Sequence, residues 1–298
     1  MSFLFVDRIV QLSPGELIRG VKHITHDDPY LTSDDQGIPC FVPSLIGETL
    51  GQLAAWNVMH YNEFTQRPVA GVVSSAQLHR PAYVGDTLLL ESYIDVLDDK
   101  AVQYHSVARI VDEPVFTIEG ALGPLLPMAD FIEDELIRQQ FAEIYRPTDW
   151  TVYSNACSAL KSIKPLSIKE LNVTPMTFDR IIESVPGVSM IAEKRITRSA
   201  RYFADHFPKK PVLPMTVLLE CKLNLAREFI RDAGFSTSYK VSKLRKIKMN
   251  EFVQPGDILT CHVKLKHQTS DEVVLSYRSE VNDKRVCVVE VVLIPKGK

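Results

Sequence analysis

Apolar and polar residues alternate with a period of two along much of this chain. His262, Lys264 and Lys266 point one way while Val263 and Leu265 point the other, the pattern of a half-buried strand. Runs of this kind predict strands over 3–12, 17–26, 72–79, 87–97, 101–111 and 114–122, and again over 176–184, 189–197, 240–249, 257–267, 272–281 and 284–294. Pro14-Gly15 and Pro186-Gly187 separate the first pair of runs in each set, as a tight turn would. Two stretches follow the helical period instead. One runs from about Ser44 to His60, the other from about Thr216 to Arg231, with Ser44 and Thr216 as predicted N-caps. In the second, Leu219, Leu223, Ala226 and Ile230 form a stripe with Val217, Leu218 and Phe229 beside it. A helix apolar on more than one side needs a sheet around it. Gly47, Gly51 and Ala54 recur along one face of the first, which predicts a close backbone approach there.

The two sets of elements are copies. Residues 7–15 read DRIVQLSPG and residues 179–187 read DRIIESVPG, 172 positions apart. At the same spacing Lys22 meets Lys194, Tyr30 meets Tyr202, Pro39 meets Pro211 and Glu48 meets Glu220. Gly85-Asp86 meets Gly256-Asp257 after a slip of one residue. The chain therefore divides into an N-terminal unit over 1–126, a linker over 127–174 containing a charged helix at 132–145, and a C-terminal unit over 175–298.

Composition narrows the class. The 298 residues are 45% hydrophobic and 24% charged, with a net charge of −3. This describes a globular chain and argues against a general nucleic-acid or anionic-membrane binder. No apolar run reaches membrane-spanning length and no secretion signal opens the chain, so a cytoplasmic location is expected. Cys40, Cys157, Cys221, Cys261 and Cys287 include no C-x-x-C pair, and free buried thiols are expected rather than a metal site or a disulfide framework. With no glycine-rich phosphate loop and no G-x-S-x-G, chemistry by side chains alone is expected, without cofactor or metal.

The candidate chemistry lies in HFPKKPVLPMTVLLE, from His206 to Glu220. This segment resembles the H-F-P-G-x-P-x-x-P-G-V-L-x-x-E signature of bacterial 3-hydroxyacyl-(acyl carrier protein) dehydratases, the FabZ/FabA-like hotdog family. The resemblance extends over most of both copies. It implies an α+β fold, a double hotdog of two tandem curved antiparallel sheets, each wrapped around a long central helix. It also implies an active site built between units, with a histidine from one and an acidic residue from the helix of the other.

Comparing the copies under that resemblance singles out one site. The first copy has Asp34 where the second has His206, but it keeps Glu48 within E-T-L-G-Q. The expected catalytic pair is His206 with Glu48, supported by Gln52 and by Ser44. Ser44 would supply an N–H to the substrate carbonyl, because Pro43 has none. Asp34 with Glu220 would be a degenerate second site. Lys209 stands where the family has a glycine, and Pro43 and Met215 stand where it has the glycine that opens the helix. Lys243, Arg245, Lys246 and Lys248 read either as a solvated strand face or as a docking patch for an acidic carrier.

The implied activity is dehydration of 3-hydroxyacyl thioesters to trans-2-enoyl thioesters. The implied partner is acyl carrier protein bearing a phosphopantetheine-linked acyl chain, with no nucleic acid and no membrane. The two copies would form an intrachain pseudo-dimer, with further homodimerisation left open. A hotdog acyl-thioesterase and a non-catalytic acyl-binding or scaffold protein are the alternatives.

Overall fold

The computed structural model describes residues 3–148, 150, 176–235 and 237–296. The second half of the linker, residues 151–174 with Cys157, lies outside the described residues. Strands form where alternation places them. In the first copy these are β1 (Arg8–Ser13), β2 (Leu17–His23), β6 (Val72–Leu78), β7 (Thr87–Leu97), β8 (Ala101–Ile110) and β9 (Glu113–Pro127). Their counterparts are β10 (Arg180–Val185), β11 (Ser189–Arg195), β12 (Tyr239–Met249), β13 (Ile258–Gln268), β14 (Val273–Val281) and β15 (Lys284–Pro295). Gly15 and Gly187 turn their hairpins with φ of 77° and 72°, a left-handed conformation open to glycine at little steric cost.

Short strands β3 (Leu31–Ser33), β4 (Pro39–Phe41) and β5 (Gln66–Pro68) were not expected. β5 pairs with the last residues of β9, which runs five residues beyond the predicted end. The first predicted run begins late for a related reason. Phe3 N–H donates to Asp205 and Phe5 N–H to Gln52, not to a neighbouring strand, and pairing with β2 begins only at Asp7, whose N–H donates to the Val21 carbonyl.

The expectation of two tandem sheets, each wrapped around its own helix, is corrected by the strand order. Among the described residues one antiparallel sheet of 13 strands runs β1-β2-β7-β8-β9-β6-β12-β15-β14-β13-β11-β10, with β5 attached at β9. It is open, with β1 and β10 as its edges, and a separate two-stranded sheet holds β3 and β4. The order reads the same from either end once each strand is replaced by its counterpart. The join is made by equivalent strands, β6 against β12, with Ala76 opposite Leu244 and Val73 opposite Ile247. Antiparallel pairing of one strand with its own counterpart is how two copies meet about a two-fold axis.

The long helices are α1 (Pro43–Tyr61) and α3 (Met215–Asp232), with α2 (Asp134–Ile144) in the linker. α1 is buried on several sides, with Leu45, Ile46, Leu50, Leu53 and Val58 all inaccessible. Ser44 and Thr216 are not the N-caps. Val42 and Pro214 hold those positions without a side-chain hydrogen bond, and Ser44 and Thr216 sit inside the first turn. Pro43 sets the helical φ at the opening of α1 and has no N–H to satisfy. α1 contacts α3, and the first turn of each reaches the other helix, Ser44 N–H to Glu220 and Thr216 Oγ1 to Glu48. α2 is fastened by Phe141, which packs on Trp56, Phe64 and Tyr145. Cys40, Cys221, Cys261 and Cys287 are buried free thiols.

Candidate active site

A cavity of about 350 Å³ opens between α1, α3, the β6–β12 junction and α2. One face of α1 supplies Gly47, Glu48, Gly51, Gln52, Ala55, Trp56 and Met59. These positions recur at helical spacing, so the cavity follows the helix for about 16 Å from Glu48 to Met59. A Cβ on Gly47 would meet the Phe116 ring at 3.3 Å, and one on Gly51 would approach the Tyr104 hydroxyl at 3.7 Å. Both glycines therefore sit close to the sheet and leave the cavity open beside the helix. Ala54 is fully buried but does not line it.

The junction strand shapes the opposite wall. β12 bulges between Arg245 and Lys248, and Lys246 there has φ of 54°. The extra residue turns Leu244 and Ile247, three apart, into the same cavity. Lys243, Arg245, Lys246 and Lys248 are all at least partly exposed. Glu290 draws together Arg245 at 2.8 Å, Lys246 at 3.1 Å and Lys266 at 2.5 Å. Burial works to raise the Glu290 pKa, but these cations bring it down to about 2. Two members of the basic run are thus engaged within the protein. Among the described residues no ion pair involves Lys243 or Lys248.

Glu48 and His206, from different copies, line this one cavity. Glu48 Oε2 lies 2.7 Å from Thr216 Oγ1 at the start of α3. A hydroxyl can donate to a carboxylate or accept from a carboxylic acid, so Thr216 serves either protonation state. Gln52 Nε2 donates to Glu48 Oε1 at 3.1 Å and to the Phe3 carbonyl at 2.9 Å. Gln52 therefore fixes the rotamer of Glu48 and ties it to the chain's first described residues.

His206 follows a short 3-10 turn, Arg201–Ala204. Its ring stacks on Phe207 at 4.1 Å and meets Phe3 edge-on at 5.7 Å. Nδ1 lies 3.3 Å from the Val212 carbonyl. A carbonyl only accepts, so Nδ1 carries the proton and Nε2 keeps its lone pair. Burial pushes the His206 pKa below the ordinary 6.5; Glu48 opposes this and Arg67 reinforces it. Lys209, in place of the family glycine, anchors the loop. Its N–H donates to the Phe131 carbonyl at 3.0 Å and its ammonium pairs with Glu133 at 2.6 Å.

The depressed pKa has a testable consequence. The unfolded chain binds the His206 proton more readily than the folded one. His206 therefore contributes stability above pH 6.5 that is lost as pH falls below 6.5 towards the folded-state value. The neutral ring should also keep the acid limb of kcat/KM below pH 6.5. A pH series of melts and rates, run beside His206→Asn, checks both. An acid limb above 6.5 would contradict the geometry.

The other predicted pair is not in this cavity. Glu220 is buried on α3 and accepts the Ser44 N–H at 3.3 Å, with Arg227 3.9 Å away. That N–H, expected to meet a substrate carbonyl at the Glu48 site, is instead engaged by Glu220. Asp34 accepts from Tyr83 OH at 2.8 Å and from the N–H groups of Gln36 and Ile38. Burial tends to raise the Asp34 pKa, but these bonds hold it below the usual value. Both acids act on the buried thiol of Cys40, whose pKa is pushed up to about 12, mainly by burial.

Burial raises the Glu220 pKa against the lowering influence of Arg227 and Ser44. A buried acid with a raised pKa favours folding below its unfolded value of 4.5, and that advantage is lost as pH rises through the folded value. Glu220→Gln keeps an acceptor for Ser44 and removes the buried charge. It should raise Tm at pH 7 and leave Tm unchanged near pH 4. A lower Tm at pH 7 would show that the charge is needed.

Sequence reasoning missed Arg67, Tyr104, Phe3 and the α2 residues Ile137 and Gln140, all of which line the cavity. Arg67 precedes Pro68 in a stretch with no motif and no matching residue in the second copy, so nothing local marks it. Among the described residues, no group of three or more His, Cys, Asp or Glu could hold a metal ion, and no helix is long and apolar enough to cross a membrane.

Residues 183–290 match the ApeI-like family model, described as ApeI dehydratase. A 3-hydroxyacyl-[acyl-carrier-protein] dehydratase, FabZ, of Lactiplantibacillus plantarum is 32% identical over 128 residues, covering 41% of this chain and 86% of that protein. The FabZ of Pediococcus pentosaceus is 31% identical over 127 residues, 41% of this chain and 85% of that protein. Over nearly the whole chain the likeness is of fold. A 12:0-ACP thioesterase from Umbellularia californica has a TM-score of 0.55 at 11% identity, covering 94% of both chains. An acyl-ACP thioesterase from Bacteroides thetaiotaomicron has a TM-score of 0.53 at 11% identity, covering 93% of this chain and 97% of that one.

Proposed function

We propose, from the premise that this chain belongs to the FabZ-like family of hotdog-fold proteins acting on acyl thioesters, that it removes water from 3-hydroxyacyl chains carried on acyl carrier protein. One composite site between the copies does the work. The observation that carries this reading is the shared cavity: Glu48 from one copy and His206 from the other face an apolar channel, and no ion pair joins them. An acyl thioester seated in that cavity would meet both side chains.

The reaction runs as follows. His206 Nε2 takes the α-proton, and the C–H electron pair moves onto the thioester, leaving negative charge on the carbonyl oxygen. That pair returns to form the C2–C3 double bond as the C3–O bond breaks. The leaving hydroxyl takes a proton from Glu48 and departs as water. Proton transfer from imidazolium to carboxylate, through solvent, restores the starting state. Gln52 and Thr216 hold Glu48 in place throughout.

A second reading is hydrolysis, in which a carboxylate directs water at the carbonyl and frees the acid. The near full-length likeness in fold to acyl-ACP thioesterases favours it. One assay separates the two. The protein is incubated with 3-hydroxyacyl chains of graded length on acyl carrier protein, and the products are weighed by mass spectrometry. Enoyl thioester supports dehydration. A free hydroxy acid replaces it with hydrolysis, and tight retention without turnover replaces both with a binding role.

The acidic carrier is proposed to dock on the outer face of β12, chiefly through Lys243 and Lys248, because Glu290 neutralises much of the rest of that run. Lys243→Glu with Lys248→Glu should raise KM for carrier-bound substrate roughly tenfold and leave kcat unchanged. Such a change corresponds to about 1.4 kcal/mol of binding. An unaltered KM at low salt would move the docking site elsewhere.

A further inference from the structure

Arg67 has no role in the chemistry described so far, yet its position is unusual for a cation. It lies in β5 and lines the same cavity as Glu48 and His206. Its guanidinium carbon sits 3.9 Å from the centroid of Phe207, and the Phe207 ring itself stacks on His206. The charge is thus within two stacking distances of the imidazole. Phe131 flanks it at 5.5 Å. Nε is buried with no hydrogen-bond partner, and among the described residues no carboxylate forms an ion pair with the guanidinium. The charge it feels is that of Glu48, across the cavity, which partly offsets burial; burial brings the Arg67 pKa down to about 10.

Arg67 as a whole is half-buried, but its Nε is fully buried, and a cation held there by stacking alone leaves part of its rigid fork of donors unused and its desolvation only partly offset by Glu48. Such a group fits a site whose counter-charge arrives with the ligand. The start of α1 offers nothing for this task, since Pro43 has no N–H and the Ser44 N–H is held by Glu220. The start of α3 offers only neutral donors, the backbone N–H groups of Met215 and Thr216 at the cavity wall.

The geometry points to Arg67 as a charged oxyanion donor of this site, taking the thioester carbonyl oxygen of the acyl substrate together with the neutral N–H groups at the start of α3. This rests on reading the cavity as an acyl-thioester site. When Nε2 removes the α-proton, the freed electron pair places negative charge on that oxygen beside the guanidinium. When the pair returns to form the double bond, the charge disappears with the departing hydroxyl. Hydrolysis would place the same charge on the same oxygen, so the role of Arg67 holds for either reaction. A donor set beside developing charge acts on the transition state more than on the ground state.

The test uses the full-length protein and a 3-hydroxyacyl thioester of pantetheine, following whichever of water loss or hydrolysis the wild-type protein performs. Arg67→Met should lower kcat by about 100- to 1,000-fold with KM within a few-fold. Arg67→Lys should fall between. Arg67→Gln keeps a flat side chain to lie on Phe207 without the charge, and should lose as much as Arg67→Met. Adding guanidinium ion to Arg67→Ala should recover part of kcat, which a purely structural role would not allow. An active wild-type protein whose Arg67→Gln variant folds and keeps its kcat overturns the assignment. An inert wild-type protein instead overturns the thioester reading on which the assignment rests.

Discussion

Glu48→Gln is expected to lower kcat for dehydration by about 100- to 10,000-fold, the usual contribution of a positioned acid or base. The amide fits the same space. It can still meet Thr216 Oγ1 and Gln52, the two partners that hold the carboxyl at 2.7 and 3.1 Å. What it loses is the transferable proton. His206→Asn should cost a similar factor, because asparagine can keep a donor near the Val212 carbonyl but has nothing in place of Nε2. The double variant should be little worse than either single one, since the two groups act in one step. Glu220→Gln is the control. It lies outside the cavity and should change kcat by less than about threefold, well under 1 kcal/mol of barrier. Rates with a single 3-hydroxyacyl thioester decide the matter. If Glu220→Gln is the damaging change and Glu48→Gln is harmless, the composite site has been assigned to the wrong pair.

Phe141→Ala is expected to cost about 3–5 kcal/mol of stability, the range for removing a buried aromatic ring. Phe141 is the centre of the contact that holds α2. Its ring lies 5.8 Å from Trp56, 5.4 Å from Phe64, 5.1 Å from His60 and 4.9 Å from Tyr145. Arg138 adds a hydrogen bond to the Glu63 carbonyl and a face-on contact with Phe64, but from an exposed position. Ile137 and Gln140 of the same helix line the cavity, as do Trp56 and Met59 of α1. Loosening α2 should therefore widen the channel, and the variant should accept longer acyl chains relative to short ones. Thermal melts and rates across a chain-length series measure both effects. A Tm within about 1 °C of wild type would show that α2 is held by something other than Phe141.

The elements themselves were legible before any coordinates. Strand and helix positions follow from local alternation, as in His262–Leu265, and from helical stripes, as in Leu219–Ile230. Local periodicity reports which side of an element is buried, so it survives without knowledge of the partner. The joining of the two copies into one sheet was not legible. It depends on β6 finding β12, strands more than 150 residues apart, and alternation is the same whether a strand's neighbour comes from its own copy or the other. The bulge at Arg245–Lys248 is equally illegible in the sequence, although it decides that Leu244 and Ile247 share a wall.

The candidate site divides in the same way. The residues His206, Glu48 and Gln52 could be picked out because a duplicated motif carries them at fixed spacing, and because the first copy lacks the histidine. Their neighbours could not. Ser44 is engaged by Glu220 from the other helix, Thr216 turns to Glu48, and Arg67 lies on a ring from the other copy. Spacing along a chain fixes which side chains share a face of one element. Only packing of distant elements, driven by burial of both helices against a common sheet, decides which charges meet across a cavity and which are left for a ligand.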